Sequence, residues 1–321
     1  MAVAAIGVLV VVWLVLHVGL HAVMAAVVKV GWGGFAILCL LGIGLFVILG
    51  SAWYLLIPRN STAKLETFIW GRAVRDSAAE VLPFSQLGGF VIGARAVMLR
   101  GVSAPLAFAS TIADVTAEMM AQIAYVLIGI AILVERVPKS PTSQWLAHAA
   151  AVGTLLAAVG AAGFLFVQKR GFAVAERMVA RTMPRAAEQA GAMHGAMESI
   201  HAAPLKVLLS VCTHMTGWFA SAFASWVAVR LMGFQVAFLS IVSIEALLYA
   251  IRSAAVIVPN ALGVQEAAYA MLMPFFGLTA SAGLALSLLK RARDIAIGIP
   301  ILLAWQATEG GHALRRAQEL R

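Results

Sequence analysis

Residues 252–270 read RSAAVIVPNALGVQEAAYA, an apolar stretch that carries Arg252, a Pro259-Asn260 pair, Gly263, Gln265 and Glu266. Residues 75–89 read RDSAAEVLPFSQLGG and follow the same order: an arginine, Ser-Ala-Ala, an apolar patch, a proline, then Leu-Gly. The first copy brings Arg75, Glu80, Pro83, Ser85, Gly88 and Gly89 into the pattern. A proline lacks the backbone donor and clashes with the preceding turn, so Pro83 and Pro259 each predict two half-helices around a break. The second half-helix points its N-terminus, with its partial positive charge, into the interior. Ser85 and Asn260 are the expected caps there. An arginine about two turns upstream of each break, beside a helix N-terminus, offers the chemistry of anion binding.

More ionisable residues sit within or beside apolar runs: Asp76, Asp114, Glu118, Glu245, Lys290, Arg291, Arg293 and Asp294. Asp114 and Glu118 are four apart and share a helix face. Lys290, Arg293 and Asp294 share a face further on. The flanking helix of the first copy is acidic and that of the second mainly basic, which suits pairing between the copies. Charges in hydrocarbon are costly and face a cavity or one another. They could therefore lock a bundle or line a polar cavity. Their concentration around two broken elements favours the cavity, and its candidate binding residues are Arg75, Glu80, Ser85, Arg95, Asp114, Glu118, Glu245, Arg252, Asn260, Glu266, Arg293 and Asp294. Pro83, Gly88, Gly89, Pro259 and Gly263 are the structural breaks.

Nothing points to a metal or another cofactor. His17 and His21, one turn apart, make an incomplete ligand set. Cys39 and Cys212 lie in apolar runs, where thiols are expected to pack rather than bridge. There is no phosphate loop, Cys-x-x-Cys or HExxH, and no nucleophile–base pair, so an enzyme is not expected.

The elements that hold these residues follow from composition. Of 321 residues 62% are hydrophobic and 12% charged, about half the charged fraction of a soluble domain. Residues 2–16, 30–57 and 207–229 carry no charge, and about 20 apolar residues cross a bilayer core. Strand-like alternation is absent, against a membrane barrel. The expected fold is an all-α polytopic membrane protein forming one transmembrane domain over residues 1–321. Six full spans fall at about 3–22, 34–57, 103–134, 145–167, 204–231 and 279–307. Re-entrant helical hairpins fall in 64–100 and 235–276. The first run lacks the basic flank of a secretory signal and reads as a retained span.

With six spans, most Lys and Arg collect on the side of both termini, which is therefore cytoplasmic. The net charge of +9 is thus assigned to anionic lipid rather than nucleic acid. Residues 170–187 read either as a surface helix with Arg177 and Arg181 on one face or as a basic loop. Trp13, Trp32, Trp53, Trp70, Trp145 and Trp305 sit mostly near span ends, as interface anchors do. Gly89 and Gly93 form a close-packing pair. Two units, 34–134 and 205–307, repeat the same order with one span between them, so they are inverted. Inverted repeats with interrupted helices are a transporter plan, with its site near the bilayer midplane.

The run VRDSAAEVLPFSQLGGFVIGARAVMLRG, the acidic helix with Asp114 and Glu118, and VPNALGVQEAA resemble the lysylphosphatidylglycerol synthase transmembrane, or flippase-like, family over nearly the whole chain. Within it they are most similar to the hopanoid-locus membrane protein subgroup. Glu80-x-x-Pro83 with Gly88-Gly89, and Pro259-x-x-x-Gly263-x-x-Glu266, carry the resemblance. It implies translocation of an anionic, isoprenoid-linked or hopanoid-type lipid between leaflets of a bacterial inner membrane, with membrane lipids as partners. The family's namesake bears a cytosolic aminoacyl-transferase domain that these 321 residues lack, so lipid aminoacylation is not expected. Three alternatives stay open: a transporter of a small soluble anion or ion-coupled solute, an intramembrane lipid-modifying enzyme, and an accessory protein of lipid biosynthesis.

Overall fold

A computed structural model describes residues 20–59, 61–82, 86–138, 184–255 and 258–319, with short pieces between 140 and 163. Pro83 and Ser85, most of the expected first and fourth spans, and most of the 170–187 segment lie outside the described residues. The described elements are helical, with no strand among them. In chain order they are α1 (Leu20–Leu55), α2 (Leu65–Val81), α3 (Gln86–Met98), α4 (Ala104–Arg136), α5 (Pro184–His201), α6 (Pro204–Leu231) and α7 (Phe238–Ala254). A 3-10 turn at Pro259–Ala261, α8 (Val264–Leu272), a second 3-10 turn at Met273–Phe276 and α9 (Ala280–Glu319) complete them.

Three of these helices are long and apolar enough to cross a membrane: Val27–Leu55 within α1, Ala104–Arg136 and Pro204–Leu231. Exposed apolar residues line α1, α6 and α9. Leu40, Ile43 and Val47 on α1, Leu205, Leu208 and Leu209 on α6, and Ile295, Ile299 and Leu303 on α9 recur at helical spacing and are exposed. Stripes of this kind suit hydrocarbon, which offers no hydrophobic drive to bury them.

The boundaries of α4 and α6 agree closely with the spans read from hydropathy. Elsewhere the structure differs. The gap expected between the spans at about 3–22 and 34–57 shrinks to one residue, Gly31, whose φ of 61° breaks α1 while helix continues on both sides. That left-handed value is inexpensive only for glycine. The last helix runs on to Glu319, beyond the span end expected near residue 307. Trp53, expected as an interface anchor, is fully buried: its Nε1 donates to Ser110 Oγ at 3.1 Å and its ring meets Phe68 edge-on at 5.4 Å. Burying an indole with its N–H satisfied outweighs interfacial placement. The thiols expected to pack are not buried, Cys39 being half-buried and Cys212 exposed.

The chain forms two compact units. One is built from α1 up to Leu45, α4 from Glu118, α6 from His214, α7, α8 and α9 up to Arg293. Its core includes Ile241, Ile244, Leu247, Leu248, Tyr269, Leu272 and Leu286. An aromatic group of Tyr125, Trp218, Phe219 and Tyr249 adjoins a second cluster in the same unit. The other unit takes the rest of α1, α2, α3, α4 up to Ala117, α5, α6 up to Thr213 and the rest of α9. Its clusters centre on Trp53, Phe68 and Val97, and on Leu56, Ala109, Met197 and Ile200.

Both broken elements are helix, break, helix. The arms of the first, α2 and α3, run antiparallel in a register set by glycines. A Cβ on Gly93 would fall 2.6 Å from the Arg75 Cβ, and one on Gly89 would fall 2.8 Å from the Arg75 carbonyl oxygen. Only a residue without Cβ lets the arms come this close, as the Gly89–Gly93 spacing predicts. The second element folds back likewise, placing Gln265 of α8 opposite Arg252 of α7 and Tyr269 opposite Glu245.

Candidate functional site

The first hairpin gathers two arginines and two aspartates. Arg72, Arg75 and Asp76 lie on one stretch of α2, and Asp114 comes from α4. Arg75 Nη1 donates to Asp114 Oδ2 at 2.6 Å, and Arg72 Nη1 reaches the same oxygen at 3.4 Å. Arg72 Nε donates to Asp76 Oδ2 at 2.7 Å, the i,i+4 pairing of one helix turn. Asp76 Oδ1 stands 3.7 Å from Arg75 Nε, and the Arg75 guanidinium lies 4.7 Å from the centre of the Phe90 ring. Asp114 is fully buried and both arginines nearly so. Charges this deep persist only when paired and hydrogen-bonded. The ring face of Phe90 adds a cation–π contact to Arg75.

The second break is organised differently. Asn260 and Ala261 both have left-handed φ, 50° and 46°, and Gly263 follows at 80°. Alanine pays a steric cost in that region, so the tip needs external support, and α9 supplies it. Arg291 Nη2 donates to the carbonyls of Asn260 at 3.4 Å and Ala261 at 3.5 Å, while its Nε donates to Glu266 Oε1 at 2.5 Å. Glu266 in turn accepts the Gly263 N–H at 2.9 Å, Ser287 Oγ–H at 3.0 Å and Arg291 Nη2 at 3.3 Å. Four donors match the roughly four lone-pair directions of a carboxylate. Glu266 is therefore the capping residue of α8, in the N3 position from which a glutamate reaches back to the N-cap amide. The expected cap, Asn260, does not serve: it sits three residues ahead of the N-cap Gly263, in the turn. The chain needs three positive-φ residues to reverse here, and that moves the helix start downstream of the asparagine.

From Glu266 a chain of hydrogen bonds leads back to α7. Gln265 Nε2 donates to Ser287 Oγ at 2.9 Å, and Gln265 Oε1 accepts from Arg252 Nη1 at 2.9 Å. One turn along α8, Tyr269 donates to Glu245 Oε1 at 2.5 Å and accepts from Lys290 Nζ at 2.7 Å. Lys290 Nζ also reaches Glu245 Oε2 at 2.8 Å and Ser225 Oγ at 3.4 Å. Glu245 and Tyr269 are fully buried. This triad is closed on itself, with acid, hydroxyl and amine saturating one another, and it fastens α7, α8 and α9 together.

Several described ion pairs join residues of one copy. Asp114 meets Arg72 and Arg75 of its own copy; Glu245 meets Lys290 and Glu266 meets Arg291 of theirs. Arg95 is held by Glu309 near the end of α9, with Nη2 at 2.8 Å from Oε1. Glu80, Glu118, Arg293 and Asp294 are half-buried. Gly88 is half-buried, and Gly89 and Gly263 are buried. Participants outside the list of candidate binding residues include Arg72, Asp76, Gln265, Tyr269, Ser287, Lys290 and Arg291. The basic ones carried a signal, a charge inside an apolar helix. Tyr269 and Ser287 carried none, since both are ordinary in a membrane helix.

A family model described as "Lysylphosphatidylglycerol synthase TM region" matches residues 1–301. No curated protein and no solved structure matches the chain significantly.

Proposed function

The chain belongs to the lysylphosphatidylglycerol synthase TM region family, membrane proteins related to lipid modification or transport, and from that membership we propose that it is a transporter moving an anionic lipid between leaflets. The observation that carries the reading is the second break. Two arginines, Arg252 and Arg291, converge on the first turn of α8, and the carboxylate there, Glu266, is engaged by its own cap and by Arg291. Arg252 Nη1 donates to Gln265 Oε1 in that turn. In the first hairpin Arg75 is matched by Asp114, so its part in anion binding requires that pair to open.

On this reading a phosphate headgroup travels past Arg252 while the acyl or isoprenoid tails remain in hydrocarbon. The two broken elements belong to inverted repeats, 34–134 and 205–307, whose rocking alternates access. The protein carries out no bond-making step and sits in a bacterial inner membrane, with both termini cytoplasmic and about six full spans. The resemblance to the hopanoid-locus subgroup makes hopanoid-type and isoprenoid-linked lipids further substrates to test. The test is reconstitution into vesicles with fluorescent phospholipid, isoprenoid-linked lipid or hopanoid in one leaflet. Wild-type protein should move at least one of them, and Arg252→Gln should slow it at least tenfold, about 1.4 kcal/mol of barrier, with the thermal midpoint little changed. Wild-type protein that moves none of them, under any gradient, overturns the proposal.

A further inference from the structure

Within one compact unit, the second half of α9 lies along the first hairpin. A Cβ on Gly298 would fall 2.7 Å from Val81 Cγ2 and 3.4 Å from the Ser77 Cβ, so α9 crosses α2 tightly beside the break. About 16 Å further along the helix, Glu309 holds Arg95 in the last turn of α3. Gly298, Leu302, Trp305 and Glu309 follow one another at spacings of four, three and four. They form one face of α9, and it meets the hairpin near the break at one end and near the base at the other.

This seam is built to part. Pro300 stands inside α9, where its ring crowds the preceding turn and the Ala296 carbonyl loses its helical donor. Long helices bend at such positions. The Ser77 hydroxyl, opposite Gly298, and the Trp305 indole Nε1 are both buried without a hydrogen bond. A polar atom sealed in this way raises the free energy of the closed state, and water reaching it would lower that of an open one. Beyond Pro300 the described polar contact with the hairpin is a fork at its far end. Arg95 Nη2 donates to Glu309 Oε1 at 2.8 Å, and Arg95 Nε reaches the two carboxylate oxygens at 3.2 and 3.3 Å. Both partners are about a third exposed, so solvent weakens the pair.

We propose that the part of α9 beyond Pro300 is a gate: it swings away from α3 about the proline, wets the face that bears Trp305, and is latched shut by Arg95 and Glu309. Its role as a gate rests on the lipid-transport reading; the motion itself does not.

The test is a distance measurement by pulsed electron paramagnetic resonance on the full chain in lipid nanodiscs. Spin labels go on Val91→Cys in α3 and Leu303→Cys in α9, both exposed, with Cys39→Ala and Cys212→Ala removing the native thiols. The protein should show a short and a long distance. Glu309→Gln should raise the long-to-short ratio about fivefold, the upper end for a solvent-screened pair, and 1 M salt should do the same to the unlatched-free parent. Arg95→Glu combined with Glu309→Arg should bring the ratio back, and Pro300→Ala should lower it. A single distance that neither Glu309→Gln nor salt alters overturns the motion, and a ratio unchanged by Pro300→Ala overturns the hinge. In vesicles Glu309→Gln should move fluorescent phospholipid about fivefold faster. An unchanged rate beside a shifted ratio overturns the gating role. If the wild-type protein moves no lipid, transport falls, and the distances alone decide the motion.

Discussion

Replacing Lys290 by methionine removes a buried ammonium while keeping the length of the side chain. In the folded protein its Nζ serves Glu245 at 2.8 Å, Tyr269 at 2.7 Å and Ser225 at 3.4 Å. Its loss leaves Glu245, fully buried, with the Tyr269 hydroxyl as its described donor. A buried charge stripped of its counter-ion costs about 3–5 kcal/mol. At roughly 2 °C per kcal/mol for a chain of this size, the thermal midpoint of the purified protein should fall by about 6–10 °C. The second step of the cycle carries the argument. Glu245→Gln together with Lys290→Met removes both charges and keeps an acceptor for the Tyr269 hydroxyl, so most of the lost midpoint should return. The measurement is the midpoint of all four proteins in one detergent, with the coupling taken from the cycle. A single variant that melts within about 2 °C of wild type, or a double variant below the Lys290→Met single, would refute the view that this pair fastens α7, α8 and α9.

Two further outcomes follow from the geometry. Gly93→Ala should lower the midpoint although alanine favours helix by about 1 kcal/mol; the new Cβ meets the Arg75 Cβ at 2.6 Å, and overpacking of this kind costs about 1–3 kcal/mol. A midpoint equal to or above wild type would refute the close register of α2 and α3. Arg95→Gln, by contrast, should shift the midpoint only slightly. The Arg95–Glu309 pair is about a third exposed on each side, so solvent screening holds its worth to about 1 kcal/mol or less, and the shift should vanish in 1 M salt.

The sequence by itself determined the class of this protein and the places where its helices fail. Apolar runs placed α4 and α6 to within a residue or two of where they fold, because the free energy of transfer into hydrocarbon is read locally along the chain. The break before α8 was legible for the same reason, since a proline acts on its own turn; α2 likewise ends at Val81 and α3 begins at Gln86, either side of Pro83. The Gly89–Gly93 spacing announced a close helix contact without naming Arg75 as the neighbour. Only the tertiary structure decided which charge answers which. Asp114 meets Arg72 as well as Arg75, Glu245 meets Lys290 and Tyr269, and Glu266 closes the α8 cap in place of Asn260. An ion pair needs its atoms within about 3 Å. Whether two helices bring a given acid and base that close depends on their axial register and rotation, which the packing of every small and large residue between them sets together. Composition supplies the charges and the apolar medium that forces them to pair, but the choice of partner is a property of the packed helices.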